Sequence, residues 1–324
     1  MKRLSLNIQT LYADLAQSVS FSDTVAGSVF AQTIKGKAYL YATEKHGAKR
    51  IQHYLGPAED PDVLRRAEDI RRAAQHARLR RTTVSMLKRS GVPAPTLDMG
   101  RLMEAVANAG LFRKGLILVG TGAYQVYSPL VATALKATSL TTHDADLVAA
   151  SLAVESDVSG ESLLDVLRRA DPTFTPQPGL DPRVPPKRFR SQAGLEVDVL
   201  TRYRSRKDDE KPVVLPRLEC SAQPLRFLEY LIEEPINAVA LYGPGVRVSV
   251  PQPARYAVHK LIVAQVRVEA SNKRGKDLAQ AAELIEALEF YDPGAIEDAL
   301  DDARSRGARW RKHIDASLTA IERG

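Results

Sequence analysis

Two carboxylates one residue apart, Asp144 and Asp146, stand 24 positions after the first residue of the run Gly120-Thr121-Gly122-Ala123. A third acidic stretch follows, Gly194-Leu195-Glu196-Val197-Asp198-Val199-Leu200. Side chains alternate along a strand with a period of two, so Asp144 and Asp146 are expected on one face. Carboxylates held that close repel unless a cation lies between them. Mg²⁺ suits such a site, because it takes a few carboxylate oxygens together with substrate phosphates and keeps water in the rest of its shell. The expected chemistry is metal-assisted work on a phosphate.

Such acids need a strand to carry them and a turn to receive phosphate. Lys114-Gly115-Leu116-Ile117-Leu118-Val119 is a short apolar run ending at the Gly-rich segment, which reads as a buried strand feeding a turn. Residues 123–127 and 130–135 then read as a helix broken near Pro129, whose first N–H groups would face an anion. A lone Gly-Thr-Gly is also an ordinary tight turn; its position ahead of paired acids favours phosphate binding. Asp198 is the favoured third acid because its run alternates, with Leu195, Val197 and Val199 on one face and Glu196, Asp198 and Leu200 on the other. Asp157, Asp165 and Glu196 are its rivals.

These segments together resemble the polymerase-beta-like nucleotidyltransferases, whose signature is a Gly-Gly or Gly-Ser turn, an Asp-x-Asp pair and a third acid on a neighbouring strand. Within that superfamily the chain is most similar to bacterial nucleotidyltransferase-fold proteins related to abortive-infection and toxin enzymes. Thr141-Thr142-His143-Asp144-Ala145-Asp146-Leu147 looks like their Thr-x-Asp-x-Asp strand, and Val197-Asp198-Val199-Leu200-Thr201 like their third-acid strand. The resemblance covers roughly residues 95–290. His259-Lys260-Leu261 and Lys273-Arg274-Gly275-Lys276-Asp277-Leu278 are similar to the helices that follow the core in these relatives. Thr121 replaces the usual Ser or Gly but keeps a hydroxyl. Asp198 lies 52 positions after Asp146, so an insertion must loop out between them.

The resemblance implies an α+β fold: a polymerase-beta-like core of mixed sheet and helices, with an N-terminal helix and β-hairpin region and a C-terminal helical domain. It implies transfer of an NMP from an NTP to an acceptor hydroxyl, on tRNA, another RNA or a protein, with release of pyrophosphate. Asp144, Asp146 and Asp198 would be the catalytic metal ligands for two Mg²⁺ ions, with Mn²⁺ as a substitute. Gly120, Thr121, Lys260, Lys276 and Asp277 would bind the nucleotide, ATP among the candidates. A toxin-antitoxin role would add an antitoxin protein as a partner. The alternative is a catalytically inactive nucleotide- or nucleic-acid-binding regulatory protein with the same fold.

Composition narrows the field. A chain of 324 residues with 44% apolar content can bury substantial cores and form two or three domains. No apolar run is long enough for a membrane span and the amino terminus lacks a secretory stretch, so a cytoplasmic protein is expected. The single Cys220 provides neither an internal disulfide nor a Cys-rich zinc site, and the six histidines are scattered. Gly120-Thr121-Gly122 lacks the third glycine of a dinucleotide-binding fingerprint.

Three parts are expected along the chain. Residues 1–92 hold a helix with Ile8, Leu11, Tyr12 and Leu15 on its apolar face, three strands with Lys35-Gly36 as a tight turn, and a basic helix. In that helix nine basic residues between Pro61 and Ser90 face three acids, a net +6 out of +7 for the whole chain. Such a helix is an electrostatic footprint for nucleic acid or a solvated face with arginine stems over apolar neighbours. The strand tyrosines are packing residues or base-stacking ones. A second basic cluster comprises Lys187, Arg188, Arg190, Arg202, Arg204, Arg206 and Lys207. Residues 93–252 form the catalytic domain, with a proline-rich loop at 171–186. Residues 253–324 form helices, including one opened by Asp292-Pro293.

Overall fold

The computed structural model describes residues 1–19, 28–46, 49–136, 144–150, 161–179, 181–203, 211–267 and 272–323. Asp157, the 141–143 segment, and Arg204, Arg206 and Lys207 lie outside the described residues.

The chain opens with a short strand β1 (Lys2–Arg3) and helix α1 (Leu6–Ser18), whose Tyr12 and Leu15 are buried. Three antiparallel strands follow, β2 (Ser28–Ile34), β3 (Lys37–His46) and β4 (Lys49–Pro57), in the spatial order β2-β3-β4. The basic helix α2 spans Pro61–Arg89. Asp60 caps it, accepting from the backbone N–H groups of Asp62 and Val63, and Pro61 fills a first-turn position where no intrahelical N–H bond is lost. The front of α2 seals the sheet through Val63 and Ala67 against Leu40, while Val84 and Leu87 pack with α1 in a separate cluster.

Helix α3 (Leu97–Asn108), capped by Thr96, leads into β5 (Leu116–Val119), every residue of which is buried. A five-residue helix α4 (Gly120–Tyr124) follows directly. The helix expected to resume at 130–135 does not form: the chain makes turns and enters β6 (Thr133–Ala134), which pairs with β1. Pro129 disfavours helix at Ser128, the Ser128 hydroxyl takes the Leu135 N–H, and Ala132 adopts a left-handed conformation at φ 48°.

The central sheet contains β7 (Asp144–Ala149), β8 (Thr175–Pro176), β9 (Arg188–Arg190), β10 (Glu196–Arg202), β11 (Val213–Leu215) and β12 (Cys220–Leu225) besides β5. Its order is β11-β12-β10-β7-β5, with β9 beside the first half of β10 and β8 beside β9. β10 runs parallel to β7 and β12, whereas β5 is antiparallel to β7 and β9 to β10, so the sheet is mixed. Between β7 and β8 lies α5 (Leu163–Ala170), whose Ser162 cap is bonded by Asp165. The proline-rich loop is irregular apart from β8. Beyond β12 come α6 (Leu228–Leu231) and the hairpin β13 (Ile236–Ala240) with β14 (Val246–Val250), which the sequence analysis passed over.

Four helices complete the chain: α7 (Pro253–Val266), α8 (Asn272–Tyr291), α9 (Pro293–Ser305) and α10 (Ala308–Glu322). Asp292 caps α9, as Asp292-Pro293 implied. Val266, the last residue of α7, is exposed. A single hydrophobic cluster runs from Met99 through the strands to Ile314, so the central sheet and the final helices share one core. No described helix is long and apolar enough to cross a membrane.

Candidate active site

The two strands beside β7 align the acids by register. Val119 at the end of β5 pairs with Asp146, and on the other side Glu196 lies opposite Asp144 and Asp198 opposite Asp146. Partners in register share a face of the pleat, so four carboxylates stand together. The reverse face carries Ala145, Leu147, Val197 and Val199, all buried. Burying a valine or leucine contributes about 1.5–3 kcal/mol each, and slipping one strand by a residue would send the acids into the core.

Gly120 is required at the turn for two reasons. Its φ of +61° lies in the region L side chains rarely adopt, and a Cβ there would stand 2.3 Å from Oδ2 of Asp146. The Asp146 carboxylate therefore rests directly over the turn. Thr121 is half-buried in the first turn of α4. From below, the Tyr256 hydroxyl lies 3.0 Å from the Gly120 carbonyl and 3.0 Å from Oε1 of Gln280. Buried Glu283 accepts from the Tyr124 hydroxyl at 2.6 Å and from the Lys136 N–H at 3.2 Å, tying α8 to the segment after the turn.

Cations face the acids from two sides. Arg188 on β9 is in register with Asp198 and grips it bidentately, Nε to Oδ1 at 2.6 Å and Nη2 to Oδ2 at 2.9 Å. Arg190, in register with Glu196, stands 3.6 Å from its Oε1. Lys273 of α8 donates to Oδ2 of Asp144 at 3.2 Å. Lys260 donates to Oδ1 of buried Asp277 at 2.5 Å, and Arg267 Nε donates to the other oxygen at 2.6 Å.

The protonation equilibria follow from this crowding. Burial pushes the Asp146 carboxyl above the usual aspartate range; the Asp198 and Asp144 charges push the same way and Lys260 and Lys273 oppose. Burial holds the Lys276 ammonium below its ordinary range, helped by Lys260 and Lys273 and opposed by Asp277 and Asp144. The Asp198 hydrogen bond raises Arg188. Burial, then Lys260, drives His259 down to about 3, so this imidazole is neutral at physiological pH.

A model of the nucleotidyltransferase family matches residues 97–305, from the first residue of α3 to the end of α9. This chain belongs to the nucleotidyltransferase family. The matched span takes in the Gly120 turn, all four acids and the lysines of α7 and α8. Among solved structures, the enzyme is similar to an antigenic nucleotidyltransferase-like protein from Paracoccidioides brasiliensis, with 16% identity, 70% of this chain and 95% of that chain covered, and a TM-score of 0.35. That likeness is too remote to bear on the site. No curated protein matches the chain.

Of the residues singled out from sequence, Asp144, Asp146 and Asp198 share one sheet face beside Gly120 and Thr121, and Lys260, Lys276 and Asp277 form a charge cluster next to it. Asp165 stands apart from the carboxylate row, in the first turn of α5 with its carboxylate on Ser162. Sequence reasoning missed Tyr256, Gln280 and Glu283, which carry no motif signal because their partners lie in distant segments. Arg188 was visible as part of a basic cluster and Lys273 as part of its helix, but neither pairing was.

The donor set fits a hard divalent cation: it is all carboxylate oxygen, and the raised Asp146 carboxyl marks a place where added positive charge is favourable. As the side chains stand, no three His, Cys, Asp or Glu residues among those described are grouped to hold an ion. Asp198 is turned to Arg188 and Asp144 to Lys273. Carboxylate rotation away from these cations is what a metal site here requires.

Proposed function

We propose that this nucleotidyltransferase moves an NMP from an NTP to a hydroxyl of an RNA acceptor in a Mg²⁺-dependent reaction. The observation that carries the reading is the register of Asp198 with Asp146 beside Gly120. It sets two acids from one strand and one from its parallel neighbour against a turn able to receive a triphosphate. Asp144, Asp146 and Asp198 would hold Mg²⁺, which when bound supplies charge neutralisation at the α-phosphate and a more acidic acceptor hydroxyl. Asp198 is preferred to Glu196 because it faces Asp146 directly and its charge is felt there.

The chain's own groups do the positioning. N–H groups at the start of α4 and the Thr121 hydroxyl would meet phosphate oxygens. Lys276, kept close to the acids by its place on α8, would take a further phosphate, and Lys273 would exchange Asp144 for one. Asp277 acts as a positioning residue that holds Lys260 and Arg267. Buried Tyr256 fixes the turn, so that little reorganisation is left for the moment of reaction.

Incubation with labelled NTPs, Mg²⁺ and cellular RNA tests the reading, with wild type compared to Asp146→Asn. Labelled RNA from wild type alone is the expected result; equal labelling by both sinks it. Asp198→Asn set beside Glu196→Gln identifies the third ligand. A toxin-type role predicts growth arrest on expression that Asp146→Asn relieves. The ion pairs closing Asp198 and Asp144 favour a second reading, a nucleotide-binding protein without turnover, which tight NTP binding and unlabelled RNA would support.

A further inference from the structure

The sheet formed by β2, β3 and β4 has two unlike faces. One carries Val29, Leu40 and Leu55, packed with Val63 and Ala67 of α2. The other, by the register pairs Phe30↔Tyr41, Gln32↔Tyr39 and Tyr41↔Tyr54, gathers four aromatic rings. Phe30 and Tyr41 stack with centroids 5.6 Å apart, Tyr41 meets Tyr54 edge-on at 5.4 Å, and Tyr39 lies 6.0 Å from Tyr54. Tyr54 is 57% exposed on an edge strand, and Phe30, Tyr39 and Tyr41 are half-buried beside it. A ring cluster serving only to fill a core would be turned toward α2, as Leu40 is.

We infer that the Phe30, Tyr39, Tyr41 and Tyr54 face is a stacking platform for single-stranded RNA, with the phosphate backbone running into the basic groove beside it. Charge complementarity selects the occupant. Among the described side chains of this face there is no acid, Lys37 and the amides of Gln32 and Gln52 lie on the same face as the rings by register, and the edge carrying Tyr54 adjoins α2 with its net charge of +6. Around the β4 edge from Tyr54, on the α2 side of the sheet, a groove of about 480 Å³ is lined by Leu55, Arg66, Asp69, Arg72 and His76 among others. Arginines at the edge of partly exposed rings suit a polyanion whose bases have a flat face to stack, and the amides on the same face can meet base edges and 2′-hydroxyls. A peptide would have to be acidic to suit the groove and would gain little from the rings. The platform rests on the proposed RNA transfer only for its purpose, since it would supply the acceptor; its binding stands apart from catalysis.

The test is fluorescence anisotropy of the full chain with a labelled, unstructured RNA of about 12 nucleotides, repeated with DNA of the same sequence and with a Glu-rich peptide. Wild type should bind RNA in preference to DNA and lose affinity as salt rises. Tyr54→Ala should weaken binding about tenfold, and Tyr54→Trp should restore it. Arg66→Glu with Arg72→Glu should weaken binding and flatten the salt dependence. Unchanged affinity in Tyr54→Ala, equal affinity for DNA, or a peptide bound in place of RNA each overturns the proposal. Asp146→Asn separates the two readings: it should bind RNA as wild type does while losing transfer. Wild-type RNA binding without transfer removes the catalytic reading alone, and transfer with Tyr54→Ala binding unchanged removes the platform alone.

Discussion

The central sheet and the N-terminal sheet use the same pleat for opposite ends. Each buries one face and leaves the other accessible, yet β7 and β10 present carboxylates over a core shared with the last four helices, whereas β2 to β4 present aromatic rings over a cluster of only three buried residues, Leu40, Val63 and Ala67. The acids are crowded and carry a mutual charge penalty that a large core can bear. The rings carry none, so a thin core suffices. On the proposed reading, NMP transfer and RNA capture fall to separate sheets, and substitutions in one should leave the other's work intact.

The largest expected effect breaks the central sheet's side of that contrast. Asp146→Asn should lower NMP transfer on the order of 10³-fold in a steady-state assay. The same change should raise the Tm of the metal-free protein by about 1–2 °C, a small shift because a chain of this length unfolds with a large entropy. The sign follows from linkage. The folded carboxyl holds its proton more tightly than the unfolded one, whose value is near 3.8, so its contribution to stability is intact below that value and is lost as pH rises through the raised one. Melting against pH should show wild type gaining stability on acidification toward that value relative to Asp146→Asn.

Next comes Gly120→Ala, which places a Cβ against Asp146 and forces an L residue to φ +61°. A loss of about 1–2 kcal/mol in denaturant unfolding and about 10²-fold in activity is expected. The N-terminal sheet is probed by Tyr39→Ala with Tyr54→Ala, expected to raise the KM for RNA at least about tenfold with kcat unchanged. A fall in kcat would show that the sheets are not independent. The smallest effect is assigned to Arg188→Gln, which releases Asp198 from its bidentate partner. Calorimetric titration with Mn²⁺ should show affinity improved about threefold, in line with loss of a half-exposed ion pair.

Local rules made much of this legible. The alternation in Glu196-Val197-Asp198-Val199, the Asp292-Pro293 start and the Lys35-Gly36 turn each concern residues within a few positions of one another, where strand and helix periods operate. The failures involve contacts across long separations or choices between near-equal local states. Residues 130–135 have helical spacing, but the left-handed Ala132 and the pairing of β6 with β1 redirect them. Register is invisible in a single strand, so the bonding of Arg188 to Asp198 and the Tyr256 contact at Gly120 had no local signature. Three of the four rings of the N-terminal sheet are visible as tyrosines in strands; only the pairing of those strands brings them to one face with Phe30.

The hydroxyl of Tyr256 touches the turn on one side and Gln280 on the other, and Glu283 reaches back to the residues after that turn. This enzyme is therefore not built as a detachable catalytic sheet with an accessory tail. A gene shortened at residue 271 would encode all four acids, the complete glycine turn and Tyr256, yet omit Gln280 and Glu283, which brace Tyr256 and the segment after the turn. The strands and the closing helices are therefore expected to fold and unfold together, and a cut between them would leave each half with an open apolar face.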